Sequence, residues 1–383
     1  MKALMITLCA YSRTGGMERF NQRIIRSLSE MDGVQAQVFS LWDDNCSSDL
    51  GGHVTYAGFR SDKLRFLLRF AGALLSFRPD AVLVQHVLFA WLHPLIRLLC
   101  PNAEILLFVH GTEVWQRPSP LFRRLVALVD RVVSVSRFTT EKMVDAYDIP
   151  ESRFALLQNV FELREFPTDK PLDLRERFPQ LFQVNQSAVK HRLLTVTRLS
   201  GRYKGERETI MALPAILRLF PDTHYYIVGN GPLADPLGDL TRQVSVAEHV
   251  HFLGAVTDEE LAKIYAACDI FVMPSKGEGF GIVYLEAAAH RLPSVAGNVD
   301  GSVEAVVDGE TGLLVDPDDV PAIANTIIEL LQDPEKRLQM GEKGYRRVIE
   351  SFSHKRFHRT FESILCSRGA STNAHSRHSQ SVP

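Results

Sequence analysis

Short apolar runs ended by glycine, proline or charge alternate with amphipathic stretches along nearly the whole chain, in two successive series. In the first, Ala3–Thr7, Ala36–Ser40, Ala81–Val84, Ile105–Val109 and Arg131–Val135 read as strands, with helical periodicity between them, as over Glu18–Met31 and Thr139–Tyr147. The second series runs through Leu193–Thr197, His224–Val228, Val250–Leu253, Ile270–Met273, Ser294–Ala296 and Gly312–Val315. It closes with helical patterns over Val320–Leu331 and Glu335–Glu350. Strands apolar on both faces and separated by helices build parallel sheets covered on both sides. At 383 residues the chain also exceeds one ordinary core. The expected class is α/β, with two doubly wound, Rossmann-like domains facing across a cleft. They cover residues 1–165 and 191–350, joined by a polar, proline-bearing linker over 166–190. Residues 367–383 are rich in Ser, His and Arg and are expected to form a disordered tail.

Composition removes several classes of function. A formal net charge of -2 gives no bulk attraction to nucleic acid. Cys9, Cys46, Cys100, Cys268 and Cys366 have no metal-ligand spacing, and an odd count suits a reducing, cytoplasmic setting. Met1–Leu8 is apolar but short and lacks a small-residue cleavage site, so it reads as a first buried strand. Ala81–Cys100 comes nearest to a membrane span. Gln85, His86, His93, Pro94 and Arg97 interrupt it, which favours a strand followed by a buried helix.

The stretch Glu278-Gly-Phe-Gly-Ile-Val-Tyr-Leu-Glu286 follows the strand ending at Met273-Pro274. A strand that feeds a helix through glycines leaves free N–H groups at the helix mouth, where an anion is stabilised. Phosphate alone explains Gly279 and Gly281 but not Glu278 and Glu286, which would repel it. A ligand bearing phosphate and hydroxyls explains both, and a sugar nucleotide is the economical choice. Arg198 ends the first strand of the second series and Lys204 lies in the loop after it. In a parallel sheet both leave the same edge as the Glu278–Ile282 turn and can clamp a diphosphate. Alternatively they are ordinary cations of a solvated loop.

Other candidates are weaker. Gly15-Gly16 is the corresponding loop of the first series, able to bring N–H groups close to a phosphate or simply to turn. Gly229-Asn-Gly231 is followed by Pro232 without a third spaced glycine and reads as a turn. His110 stands at a strand's carboxyl end, where it could meet a sugar oxygen or be satisfied by neighbouring backbone; His86 holds a similar place and ranks below it. Asp43-Asp44 and Asp316-Pro-Asp318 lack a supporting ligand cluster, so no metal is expected. Arg60–Arg69, on a helix continuing to Phe77, interleaves cations with bulky apolar residues, and Arg117, Arg123 and Arg124 with Leu121 and Phe122 repeat the pattern. Such a helix either lies on an anionic membrane or packs its apolar side inward with a solvated basic face.

Taken in order, these pieces resemble the retaining glycosyltransferases of family 4, which have the GT-B fold. The resemblance rests on Gly15-Gly16, His110-Gly111, Val135-Ser136, Arg198 with Lys204, Val228–Pro232, Phe252–Gly254, Glu278–Glu286 and Asp308–Val315. It implies transfer of a hexose from GDP-mannose or a UDP-hexose to a glycan or lipid-linked acceptor, in surface polysaccharide or glycolipid synthesis. It further implies that Glu278 and Glu286 bind hydroxyls of sugar and ribose, that Arg198 and Lys204 hold the diphosphate, and that N–H groups near Gly16, Gly281 and Ile282 assist. Gly279 and Phe280 belong to the same donor-binding turn, Val256 to the base pocket, and His110 to the transferred sugar. A last helix, about residues 351–366, returns to the N-terminal domain. The enzyme is expected to need no metal or other cofactor and to sit in the cytoplasm, in peripheral contact with the inner face of the membrane through Arg60–Phe77. Asn298-Val-Asp300-Gly301-Ser302 replaces a more glycine-rich turn near the donor. A sugar-nucleotide epimerase of similar shape and a non-catalytic sugar-nucleotide-binding protein are the competing readings.

Overall fold

A computed structural model describes residues 1–13, 15–44, 53–162 and 190–367. The expected linker up to residue 189, Cys46, and the tail beyond 367 lie outside the described residues. The chain divides into two compact units, Met1–Asn159 with His354–Pro383, and Val160–Ser353.

The first unit is a seven-stranded parallel sheet in the order β3-β2-β1-β4-β5-β6-β7. Its strands are β1 (Lys2–Thr7), β2 (Gln35–Ser40), β3 (Val54–Gly58), β4 (Ala81–Val84), β5 (Glu104–Val109), β6 (Arg131–Ser134) and β7 (Phe154–Leu156). The central strands are apolar on both faces because helices cover both, and β4 is buried throughout. Edge strand β3 is missing from the expected series. It buries only Val54 and Gly58 fully, so its sequence carries no continuous apolar signal. The helices are α1 (Gly16–Glu30), α2 (Lys63–Ser76), α3 (His93–Leu99), α4 (Pro120–Val126), α5 (Arg137–Tyr147) and, from the far end of the chain, a closing helix over His354–Cys366. That closing helix buries Phe357, Phe361, Ile364 and Leu365. Phe357 meets Phe20 of α1 edge-to-face at 5.4 Å, and Phe361 meets Phe108 of β5 at 6.5 Å. Burial of each such ring contributes about 2–3 kcal/mol, which holds the last helix in this unit.

Helix α2 carries the basic segment. Asp62 caps it by accepting from the Arg65 N–H, and its inner stripe is Phe66, Phe70, Ala73 and Leu74. Leu64, Leu67, Leu68 and Leu75 are therefore turned outward, Leu64 and Leu68 about two-thirds exposed at 68% and 65%. The helix is thus core-facing along one stripe, and its outer side carries leucines as well as cations. The segment after β4 is likewise not a buried helix: it makes a 3-10 turn over Val87–Leu92 and then α3, leaving Leu88, Trp91 and Leu98 exposed.

The second unit is a six-stranded parallel sheet, β10-β9-β8-β11-β12-β13. Its strands are β8 (His191–Val196), β9 (Thr223–Val228), β10 (Val250–Gly254), β11 (Ile270–Met273), β12 (Ser294–Gly297) and β13 (Gly312–Val315). The helices are α6 (Glu206–Leu219), α7 (Ala234–Gln243), α8 (Asp258–Ala267), α9 (Ile282–Ala289), α10 (Ser302–Ala305), α11 (Val320–Gln332) and α12 (Pro334–Ser351); the closing helix of the first unit is α13. Leu213 and Ile216 of α6 and Ile323 and Ile327 of α11 bury one sheet face. In each sheet the order reverses beside the first strand, between β1 and β4 and between β8 and β11. Loops leaving the carboxyl ends of those pairs diverge and open a binding crevice.

Candidate functional site

Three loops meet at the carboxyl ends of β8, β11 and β12 in the second unit. The first carries Arg198 and Lys204. Its start is fixed by the neighbouring turn: Thr197 N–H donates to the Val228 carbonyl at 2.9 Å, and Leu199 N–H to the Asn230 carbonyl at 3.0 Å. That closeness requires the glycines of Gly229-Asn-Gly231. Gly229 sits at φ +128°, and a Cβ there would overlap the Thr197 carbonyl oxygen. The sequence reading of a turn understated this pair, since it braces the residue that presents Arg198.

The second loop, Pro274–Gly281, is tied to the first by Lys276 N–H donating to the Tyr203 carbonyl at 2.8 Å. The third loop positions Glu278. Its buried Asp300 accepts from the Glu278 N–H at 2.7 Å, while Gly301 N–H returns a bond of 2.8 Å to the Glu278 carbonyl. Asp300 also accepts from the N–H and hydroxyl of Ser302. Burial raises its pKa, against the bonds from Ser302 and Ser275 and the nearby Lys204 charge. Sequence reasoning noted Asp300 only as a departure from a glycine-rich turn. No local signal shows that this carboxylate reaches back 22 positions to hold a backbone N–H.

These contacts bring Lys204 against Glu278 as an ion pair, the side chains only 17% and 13% exposed. Burial pulls the Lys204 ammonium down to about 8; Glu206 and Asp300 oppose the fall and the charge of Arg198 adds to it. Arg198 thus lies within electrostatic reach of Lys204. Glu206, the first residue of α6, is a buried carboxyl raised by desolvation, and sequence reasoning missed it. Gly281, at φ +87°, stops the loop, and α9 starts at Ile282 with its N-terminal end directed into the same region. Glu286, one turn into α9, is buried and accepts the Tyr265 hydroxyl at 3.0 Å. Val256 is half-buried between Gly254 and Thr257, which caps α8 with a full capping box to Glu260. Phe280, expected in the donor-binding turn, turns its side chain inward. The Phe280 ring is 1% exposed and packs on Phe352 at 5.7 Å, so only its backbone, like that of Gly279, is available to a ligand.

In the first unit, Gly16 is the first residue of α1 and Gly15 its cap. The loop before it is organised by Asp43, weighed and set aside as a metal ligand in the sequence. Its fully buried carboxylate accepts from the N–H groups of Ala10, Tyr11 and Ser12 at 2.7, 3.0 and 2.8 Å, and from Ser40 and Tyr56 hydroxyls. Burial alone would raise its pKa, but these bonds and that from Cys9 outweigh it and hold the carboxyl far below its usual range. His110 follows β5; its Nε2–H donates to the Gln85 carbonyl at 3.2 Å and its ring stands edge-on to Phe20. Burial lowers its pKa to about 4, so the ring is neutral and Nδ1 keeps its lone pair. His86 lies near enough for its charge to couple to His110 and Glu113, and its Nδ1 accepts from the Leu88 N–H at 3.1 Å, a structural duty.

Two family models match the chain: glycosyl transferases group 1 over residues 178–347, and Glycosyltransferase Family 4 over residues 14–165. A GDP-mannose-dependent alpha-(1-6)-phosphatidylinositol monomannoside mannosyltransferase of Mycolicibacterium smegmatis is 35% identical over 65% of this chain and 66% of its own length. The enzyme of the same name from Mycobacterium tuberculosis is 30% identical over 75% of this chain and 78% of its own. Among solved structures, Anabaena HepE in complex with UDP superposes with a TM-score of 0.78 at 19% identity, covering 96% of this chain and 100% of that one. Sucrose-phosphate synthase of Thermosynechococcus elongatus gives 0.75 at 22% identity over 95% and 98%. The structural likenesses establish the architecture, and the sequence matches cover residues of both units, the charged loops among them. The chain is a family 4 glycosyltransferase with the GT-B fold.

Proposed function

We propose that the protein transfers mannose from GDP-mannose to a hydroxyl of a lipid-linked glycan acceptor, with retention at the anomeric carbon and without a metal ion. The observation that carries this reading is the meeting of Arg198, Lys204 and Glu278 with the N-terminal end of α9 at the β8/β11 switch point. As the bond from C1 to the β-phosphate oxygen breaks, negative charge grows on the diphosphate. Two fixed cations and a helix terminus stabilise it without reorganising. Glu278 then turns to the sugar hydroxyls and Glu286 to the ribose. The acceptor oxygen bonds to C1 on the face the phosphate leaves, and its proton passes to that phosphate. The mannosyl donor is favoured over a UDP-hexose because the two sequence relatives are GDP-mannose-dependent mannosyltransferases.

The test is an assay of purified protein with GDP-mannose and with UDP-glucose, each in excess EDTA, using a phosphatidylinositol mannoside acceptor and reading the product anomer by NMR. An α-mannoside formed in EDTA is expected. Loss of turnover restored by magnesium, a β-linked product, or isomerised donor without transfer would each reject the corresponding part.

A pH dependence follows from Lys204. Its cation persists below about 8 and is lost as pH rises through that value. The free enzyme's kcat/KM for the donor should therefore fall above about pH 8, whereas kcat holds to higher pH because bound diphosphate stabilises the ammonium. Lys204→Arg should remove the alkaline limb. A limb unchanged in that variant assigns it elsewhere.

The outer face of α2 supports membrane contact. Leu64, Leu67, Leu68 and Leu75 project beside Lys63, Arg65 and Arg69, a combination suited to an anionic lipid surface. No helix among the described residues is long and apolar enough to cross a membrane. Flotation with anionic vesicles should recover the protein, and Leu64→Asp with Leu68→Asp should weaken binding at least about tenfold, since each buried leucine contributes roughly 1.5 kcal/mol. Equal flotation of the double variant would discard α2 as the contact.

A further inference from the structure

At the distal end of α1, Glu30 faces two histidines of α13, His354 and His358, set one helical turn apart. The Glu30 carboxylate oxygen Oε2 lies 2.9 Å from His354 Nε2 and 3.7 Å from His358 Nδ1. One ligand atom from each of the three side chains falls within 4.8 Å of the others. We propose that Glu30, His354 and His358 form a structural site for a borderline divalent transition metal such as zinc, clipping α13 to α1.

The donor set fits that ion class. Two imidazoles and a carboxylate favour zinc and its neighbours over magnesium or calcium, which take oxygen ligands. Bond lengths of about 2.0–2.1 Å around a tetrahedral ion place its ligands roughly 3.3 Å apart. The observed 2.9 and 3.7 Å bracket that edge for the two carboxylate–histidine pairs, and the ring nitrogens, within 4.8 Å of each other, close on an ion by rotation of the partly exposed His358 ring. The other carboxylate oxygen is already engaged by Arg26 Nε at 2.8 Å, which fixes the plane of the carboxylate and leaves Oε2 for the histidines. His358 Nδ1 is buried with no hydrogen-bond partner, a nitrogen aimed at Oε2 but too far to bond it. His354 is 92% buried by its 8% exposure, whereas Glu30 and His358 keep an open side for entry and for a water as fourth ligand. Glu30 can only accept, so His354 Nε2 carries the hydrogen of their bond. On binding, Nε2 gives its lone pair to the ion, and the neutral ring's one hydrogen moves by exchange with solvent to Nδ1.

The site lies wholly within the first unit and is separate from the donor loops of the second. Its effect is on stability: the clip joins positions 324 residues apart in sequence, the last described helix to the first. The full chain, stripped with EDTA and dialysed, is titrated with zinc by calorimetry and with cobalt(II) by visible absorption, with magnesium as control. One equivalent of zinc, four-coordinate cobalt bands, and a zinc-dependent rise in melting temperature of about 5 °C or more are expected. Glu30→Gln and His358→Ala, both at partly exposed side chains, should fold, lose the equivalent and lose the rise. Zinc uptake equal in wild type and both variants, as the tail residues His375 and His378 could give, overturns the proposal. So does the absence of any zinc-dependent shift in melting. Room-temperature turnover in EDTA should be unaffected, so this test and that of the transfer reaction fail independently.

Discussion

Lys204→Ala is expected to lower turnover by about 100-fold or more, the usual loss when one preorganised charge is withdrawn from a departing oxyanion. The same change leaves the Glu278 carboxylate buried beside Asp300 without its ion-pair partner. Breaking a buried pair from one side costs roughly 3–5 kcal/mol, less where the orphan takes up a proton. Glu278→Ala should also abolish most transfer, because the sugar loses its acceptor. The double variant separates the two effects. Stability should recover relative to either single change, since no unpaired charge remains, while activity should not. Steady-state kinetics and urea melts on the three proteins decide it. Near-wild-type turnover in Lys204→Ala would dismiss the charge clamp.

Gly229→Ala carries the largest expected loss of stability. The residue sits at φ +128°, and its Cβ would run into the Thr197 carbonyl, which the backbone cannot move without releasing Arg198 and Leu199. A cost of about 4 kcal/mol is expected in denaturant titration, with donor affinity falling as the segment shifts. Gly33→Ala is the control, at φ +73° with nothing within 4 Å of the added methyl group. It should lose only about 1–2 kcal/mol from the left-handed backbone. Equal losses at the two positions would mean that backbone strain, not the close approach, explains Gly229.

Much of the architecture could be read from the chain because central parallel strands such as Ile270–Met273 are buried on both faces and leave unbroken apolar runs. Edge strand Val54–Gly58 could not, since half-exposed strands need no such run. Periodicity also failed on α2. Both of its faces carry bulky apolar residues, so the pattern cannot say whether Phe66 and Phe70 or Leu64 and Leu68 turn inward. At the site, residue types at strand ends announced Arg198, Lys204 and Glu278. Their mutual pairing was not legible, nor were Asp43 and Asp300, whose partners come from distant loops that only the fold brings together. Phe280 shows the converse, a motif residue whose side chain serves the core.

The resting partnership of Lys204 with Glu278 bears on selectivity. Inorganic phosphate or pyrophosphate, abundant in any cell, must compete for the ammonium with a tethered acid that is always present. Such an ion offers Glu278 nothing in return. On the proposed chemistry, a glycosylated diphosphate supplies hydroxyl hydrogens to the displaced acid as its phosphate captures the lysine, an exchange that bare anions cannot make.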